Sequence, residues 1–420
     1  MRLGIKARID EIHRGKLPEG YIHNCGYIYP EDWSFDKLEK HLIAHDELSN
    51  DTLNNPVVTS SRDGLMLQSE YYQQQRFEET RLGYHVVPRG YVTYRHMSDD
   101  DIFRFNVNDM ADNVLVSPEY PVFTTKRTLL QPLLVYYLNT SSHFLSYCRA
   151  QKKGSTRTRL YFSNLKQFAM PIPSPAEQNK IVEILMHCDK VISLKQQFIK
   201  EKKKQKKWLM QNLLDPDSGI RLPGFEGEWE DRELGSFCNT FSGGTPRRGK
   251  NEYYSGKIKW IKSGELNSRE IYDTEETISE AGLRNSSAKL VSPNTILLAL
   301  YGATAGIIAV TRIEAAINQA VLAIIPEIEI DKNFLYYSLS NQMDYAIATY
   351  TQGGQPNFNA GIIRKLIIKL PDINEQFKIA QILLRTDKEI NLLEDELSQW
   401  ESKKKALMQL LLTGIVRVEH

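Results

Sequence analysis

Pro173-Ser-Pro-Ala-Glu-Gln-Asn-Lys-Ile-Val-Glu-Ile-Leu is followed later in the chain by Pro371-Asp-Ile-Asn-Glu-Gln-Phe-Lys-Ile-Ala-Gln-Ile-Leu. The correspondence runs without a gap to Leu209-Met-Gln-Asn-Leu-Leu and Leu407-Met-Gln-Leu-Leu-Leu, and 18 of 42 aligned positions are identical. Only two copies exist, which excludes a solenoid. In the second copy Ile379, Leu383, Thr386, Ile390, Leu393, Leu397, Trp400, Lys404, Leu407 and Leu411 fall at alternating spacings of four and three, a coiled-coil seam of five heptads. The first copy places Ile181, Leu185, Cys188, Ile192, Lys195, Ile199, Lys202, Lys206, Leu209 and Leu213 at the same positions, apolar at the ends and polar in the middle.

Charge accounts for that polar middle. Residues 195–207 hold seven lysines against Glu201, a sum of about +6, whereas residues 387–401 hold six acids against Lys388, about −5. An antiparallel pair sets the basic middle against the acidic one, and two like helices from different chains repel, so pairing within the chain is preferred. Helix boundaries are marked by Pro173 and Pro175 before the first copy, by Asp372 or Asn374 with Glu375 before the second, and by Gly414 after it.

The two helices divide the rest of the chain into similar blocks. The expected boundaries are residues 1–172, a first domain; 173–215, the first helix; 216–370, a second domain; 371–414, the second helix; and 415–420, a tail. Both blocks carry strand-like runs, Val86-Val-Pro-Arg-Gly-Tyr-Val-Thr-Tyr in the first and Lys257-Ile-Lys-Trp-Ile, Thr295-Ile-Leu-Leu-Ala-Leu and Leu366-Ile-Ile-Lys-Leu in the second. Helical patches cover 129–148 and 332–345, so each block reads as mixed α and β. The expected fold class is α+β: two mixed domains separated by a pair of long antiparallel coiled-coil helices, in a pseudo-twofold tandem repeat. A helix of about 38 residues spans roughly 57 Å. Two similar domains on such a spacer suit a ligand that repeats over tens of ångströms, and duplex DNA, whose half-sites recur about every 34 Å, is the leading candidate.

Composition bounds the alternatives. With 41% apolar residues and no signal-peptide layout, a soluble cytoplasmic protein without membrane attachment is expected. The four cysteines are isolated and lack metal or disulfide spacing. Lys and Arg number 53 against 52 Asp and Glu, which argues against a simple basic coat and leaves local charge distribution to decide.

With these features the chain resembles the DNA specificity subunits of type I restriction-modification systems. The paired Glu-Gln-x-Lys-Ile helices and the terminal Leu-Leu-Thr-Gly-x-Val-Arg-Val carry the likeness. In the second domain Gly243-Gly-Thr-Pro, Tyr254-x-Gly256, Trp260-Ile-Lys-Ser-Gly-Glu, Gly302-Ala-Thr-Ala-Gly306 and Ile317-Asn-Gln-Ala add to it. The resemblance implies a reader without its own catalytic site. Two target-recognition domains each read half of a split double-stranded DNA sequence, and the helices set the gap. Two methyltransferase subunits using S-adenosylmethionine dock, joined in the full complex by restriction and translocase subunits using ATP and Mg²⁺; no cofactor is expected in this chain.

The residues agree with a missing catalytic centre. No Asn/Asp/Ser-Pro-Pro-Tyr/Phe motif of an amino-methyltransferase occurs. Gly244-Thr-Pro-Arg-Arg-Gly249-Lys250 has phosphate-loop spacing, yet Asn251 stands where a Mg²⁺-binding hydroxyl is required. The DNA-facing candidates are basic, hydroxyl and amide side chains on loops, the types that grip phosphates or read base edges. In the first domain they are Ser60, Ser61, Arg62, Tyr94, Arg95, Lys152, Lys153, Thr156, Arg157 and Arg159. In the second they are Thr245, Arg247, Arg248, Lys250, Lys262, Ser263, Tyr301, Thr304, Gln352, Gln355 and Asn357. A two-domain protein-interaction scaffold with a coiled-coil spacer is the alternative.

Overall fold

The computed structural model describes residues 4–71, 83–152, 154, 157–350 and 357–418. The repeated segments form two long helices, Pro175–Leu213 and Ile373–Leu412. The chain divides into two compact units, residues 1–194 with 397–420, and residues 195–396, so each unit takes half of each long helix.

In the first unit a four-stranded antiparallel sheet orders Phe105–Val107, Val92–Tyr94, Val122–Thr125 and Leu42–Ala44. Beside it lie a three-stranded sheet of Asn113–Val116, Tyr84–Pro88 and Leu48–Ser49 and a hairpin of Val58–Ser61 with Gly64–Leu67. The continuous run expected from Val86 onward is thus two strands. Gly90, at φ 83°, turns the chain between them, and they enter different sheets. The helical patch also divides, into Gln131–Thr140 and Ser142–Ala150, because Ser141 leaves helical geometry and its side chain accepts from the Phe144 amide.

In the second unit a five-stranded sheet orders Cys238–Ser242, Val321–Pro326, Ile296–Ala299, Ile308–Thr311 and Glu270–Ile271. A four-stranded sheet orders Thr277–Ile278, Tyr254–Ile261, Ala315–Ile317 and Lys289–Val291. The strand entering each long helix pairs with an early strand of its own unit: Ala169–Ile172 with Ser34–Lys37, and Ile367–Leu370 with Glu230–Glu233. The duplication is therefore structural as well as sequential.

Apolar ends of the seam are built into the unit cores. Ile181, Leu185 and Leu411 pack with Trp33, Leu134, Leu138 and Ile172 in the first unit; Leu213, Ile379 and Leu383 pack with Phe334, Leu335 and Ile368 in the second. Burying these side chains removes each from water, a gain of roughly 1.5–3 kcal/mol apiece. Of the remaining seam positions, Ile199 and Ile390 are buried, while Ile192, Leu209, Leu393, Leu397, Trp400 and Leu407 are half-buried.

The two helices run antiparallel. Lys195, Lys202 and Lys206 advance along the first as their partners Glu396, Glu389 and Asp387 retreat along the second, at 2.6, 2.8 and 2.5 Å. Lys203 meets Glu394 at 2.6 Å. Lys206 has an equivalent in Lys404, which pairs with Asp189 in the first unit as Lys206 pairs with Asp387 in the second. Each aspartate also accepts a 2.5 Å hydrogen bond from a tyrosine of its own unit, Tyr136 onto Asp189 and Tyr337 onto Asp387. Burial first, and then these carboxylates, push both phenols well above their ordinary pKa. The Tyr-Asp-Lys bridge occurs once per unit.

A second duplicated joint closes each helix start. Glu177 and Glu375 are each only 1% exposed. Glu177 accepts from the Trp33 indole at 2.8 Å and from Arg417 at 2.8 and 2.9 Å; Arg417 also grips Asp32. Glu375 accepts from Arg221 at 3.0 and 2.7 Å. The tail thus does for the first unit what the linker after the first helix does for the second.

Candidate nucleic-acid interface

In the second unit the site is built on a loop that leaves Cys238–Ser242 and passes under the turn after Ala315–Ile317. A Cβ on Gly243 would lie 1.8 Å from the Ile317 carbonyl oxygen, and one on Gly244 2.6 Å from Ser287, so only glycine lets the loop approach. The Gly243 and Gly244 amides donate to the Asn318 and Ile317 carbonyls at 3.2 and 3.1 Å, and the Trp260 indole donates to the Gly244 carbonyl at 3.3 Å. Pinned in this way, the loop presents Thr245, whose hydroxyl donates to Gln319 Oε1 at 2.5 Å, and the exposed Arg247.

Arg248 lies 4.9 Å from the Tyr254 ring centroid and 5.3 Å from that of Trp260, and it donates to Glu276 at 2.7 Å. Lys262 reaches the same carboxylate at 2.9 Å and Glu275 at 3.4 Å. The hydrogen bonds from Arg248, then Lys262, hold Glu276 below the usual carboxylate range. Lys250 lies 3.5 Å from Glu252 and over the Tyr253 ring. Ser263 opens a short 3-10 turn, Ser263–Asn267. The backbones of Tyr301 and Asn357 form an isolated antiparallel bridge, with both residues exposed. Thr304 is almost wholly buried, which corrects its assignment to a DNA-facing surface. Gln352 and Gln355 lie outside the described residues.

The phosphate-loop spacing at Gly244 has no matching architecture. A phosphate loop opens a helix whose N-terminus faces the anion, but here the segment runs into a three-residue 3-10 turn, Asn251–Tyr253, and then the strand Tyr254–Ile261.

In the first unit several candidates have other duties. Tyr94 is fully buried and donates to the Leu160 carbonyl at 3.0 Å, so it is a core residue. Its strand, Val92–Tyr94, is covered on both faces, which alternation could not reveal. Ser60 is buried, and its hydroxyl accepts from Asn106 Nδ2, as does the Ser61 carbonyl, both at 2.8 Å; Ser61 Oγ closes the hairpin onto the Gly64 carbonyl. Those two serines hold the hairpin in place rather than face a ligand.

The cations remain at the surface. Arg95 and Arg159 are exposed and make no ion pair among the described residues. Arg159 lines an open groove of about 430 Å³ with His96, Met97, Glu119, Pro121 and Tyr161. Arg157 pairs with Asp99 at 2.7 Å, Arg62 with Asp100, and Lys152 with Asp101 at 3.7 Å. Lys153 and Thr156 lie outside the described residues. Sequence reasoning passed over these acids and Gln319. The runs Asp99-Asp-Asp and Asp273-Thr-Glu-Glu were visible signals, and Gln319 stood in a motif already noted.

The sequence profile of the type I restriction modification DNA specificity domain matches residues 99–203 and 226–401, one segment in each half of the chain. The specificity subunit of the Escherichia coli type I restriction enzymes EcoR124I/EcoR124II is 28% identical over 278 residues, spanning 62% of this chain and 64% of that protein. The putative type I restriction enzyme MjaX specificity subunit of Methanocaldococcus jannaschii is 24% identical over 426 residues, 93% of this chain and 95% of that one. Among solved structures, a chain of the type I R-M system superposes with a TM-score of 0.59 at 14% identity, covering 93% of this chain and 100% of that chain. The S subunit from M. genitalium gives 0.56 at 15%, covering 90% and 96%. At such identities the structural likeness is one of fold.

Proposed function

Because the chain belongs to the type I restriction-modification DNA specificity family, we infer that it reads a two-part duplex DNA target, one half with each sheet-rich domain, while the helix pair sets the unread gap. The observation that carries this reading is the duplication itself: both halves repeat the entry strand, the buried glutamate joint and the Tyr-Asp-Lys bridge, yet carry different loops. Equal mounts with unequal reading surfaces suit a target whose halves differ in sequence. Arg95 and Arg159 in the first domain and Arg247 in the second are exposed, have no ion pair among the described residues, and are best placed to meet phosphates or guanine edges.

The chain acts as a specificity subunit, not as an enzyme. Methylation would reside in two docked methyltransferase subunits using S-adenosylmethionine, and cleavage in restriction and translocase subunits using ATP and Mg²⁺. Apolar side chains left exposed on the long helices, away from the seam, support docking there: Met186, Leu194, Phe198, Trp208, Phe377 and Leu392. Work on DNA would place the complex in the cytoplasm; among the described residues no helix is long and apolar enough to cross a membrane.

Methylome sequencing of cells carrying this chain with its operon tests the reading. The expected result is a split motif that disappears when the chain is deleted. A single uninterrupted motif, or one that survives the deletion, would refute it. Arg247→Ala should relax only the half read by the second domain.

A further inference from the structure

We propose that two acidic turns, Asp99-Asp-Asp101 in the first domain and Asp273-Thr-Glu-Glu276 in the second, act as built-in phosphate substitutes that suppress binding to DNA lacking the target. This rests on the DNA-reading role inferred above. The first turn gathers cations from two separate segments. Arg62 comes from the hairpin turn, and Lys152 and Arg157 from the stretch between Ser142–Ala150 and Thr158–Arg159; each takes its own aspartate. The second turn repeats the arrangement on a different scaffold, with Asp273 on Lys259, Glu275 and Glu276 on Lys262, and Glu276 on Arg248.

Fold stability does not account for most of these pairs. Arg62–Asp100, Arg157–Asp99, Arg248–Glu276 and Lys259–Asp273 lie towards the surface, where ion pairs contribute little, while Lys152–Asp101 and Lys262–Glu276 are half-buried. Asp101 adopts φ 66°, a left-handed conformation that Asp and Asn tolerate better than other side chains, and its carboxylate also accepts from the Thr158 hydroxyl. What the pairs do change is the field met by an approaching duplex. A lysine or arginine already holding a carboxylate gains less from a phosphate, because the carboxylate must first be displaced and then repels the backbone beside it. On arbitrary DNA, where backbone contacts are the main source of affinity, that loss falls on nearly the whole binding energy. On the target, base-edge contacts and fit offset it. Cations without an acidic partner among the described residues, Arg95, Arg159 and Arg247, are the ones to make first contact. Six of the 52 acidic residues lie in these two turns, so part of the near balance with 53 basic residues is opposite charge set face to face there.

The test compares the full-length chain with D99N/D100N/D101N and, separately, E275Q/E276Q, by fluorescence anisotropy on a duplex bearing the mapped target and on a scrambled duplex of equal length. Asn and Gln keep the shapes, and Asn accepts the left-handed conformation at position 101. For the triple variant the affinity for scrambled DNA should rise at least tenfold at low salt. The slope of log affinity against log salt should steepen by about 0.9 per phosphate newly engaged, up to about 2.7. Target affinity should rise less, so discrimination falls. Scrambled-duplex affinity and slope that stay unchanged in both variants would overturn the proposal. So would loss of target binding alone, which would make the carboxylates positioning groups for their cations. Wild-type chain that shows no preference for the mapped duplex would instead refute the DNA-reading role itself.

Discussion

Glu177 lies inside the first unit with its carboxylate shared between the Trp33 indole and the Arg417 guanidinium, and among the described residues only the tail supplies a cation to it. Removing Arg417 leaves a buried charge unpaired, a loss of about 3 kcal/mol. Arg417→Met should therefore lower the urea midpoint of the first unit. Arg417→Lys should recover only part of the loss, since an ammonium cannot make the bidentate contacts to Glu177 and Asp32. Equal stability of wild type and Arg417→Met would show that the joint contributes nothing. Histidines give a second contrast, because residues 216–370 contain none. His41 and His96, both in the first unit, are held below the ordinary imidazole pKa of 6.5. Burial outweighs the pull of Asp36 on His41; at His96 burial, aided by Arg159 and Arg95, outweighs that of Glu119. Their folded pKa values are depressed, so the stability they contribute is complete above pH 6.5 and lost as pH falls below it. Hydrogen exchange at pH 7.5 and 5.5, corrected for intrinsic rates, should show protection falling in the first unit more than in the second. A uniform change would contradict this.

The helix pair follows directly from local pattern, since heptads and charge blocks are properties of consecutive residues. Lys195, Lys202 and Lys203 lose their partners if the first helix pairs with a copy of itself. The residues equivalent to Glu396, Glu389 and Glu394 are then Phe198, Val191 and Gln196, none of them acidic. A fragment of residues 1–215 should accordingly dimerise weakly and more tightly as salt rises from about 0.05 to 0.5 M, because screening relieves the repulsion. Ultracentrifugation showing a tight dimer indifferent to salt would contradict the charge argument. The reading surface was less legible. Basic loops announce themselves, and Arg62, Lys152, Arg157 and Arg248 are exposed and Lys262 half-buried, but which acid each one meets depends on segments far apart in sequence. Tyr94 and Ser60 were misassigned for the same reason: type and alternation indicate a strand or turn, whereas burial on both faces is decided by the sheets that close over it. Gly243 and Gly244 were recognised as a motif, and only the approach to Ile317 and Ser287 shows why no side chain fits.

For the whole molecule, the antiparallel register makes spacer length a property of both helices at once. Inserting seven residues into each at facing midpoints preserves the seam and adds about 10 Å, near three base pairs. The gap in the methylation map should widen by that amount, and an unchanged gap would show that the helices do not measure it. The division into units has one more consequence, which concerns the order in which the protein is made. The second unit is continuous, residues 195–396, whereas the first needs residues 397–420 to fill its core with Leu411 and Leu412 and to neutralise Glu177 through Arg417. On the ribosome the half whose synthesis starts first is thus completed after the second unit. It waits, with part of its core open and Glu177 lacking its guanidinium partner, until the second half of the second long helix and Arg417 emerge and fold back onto it.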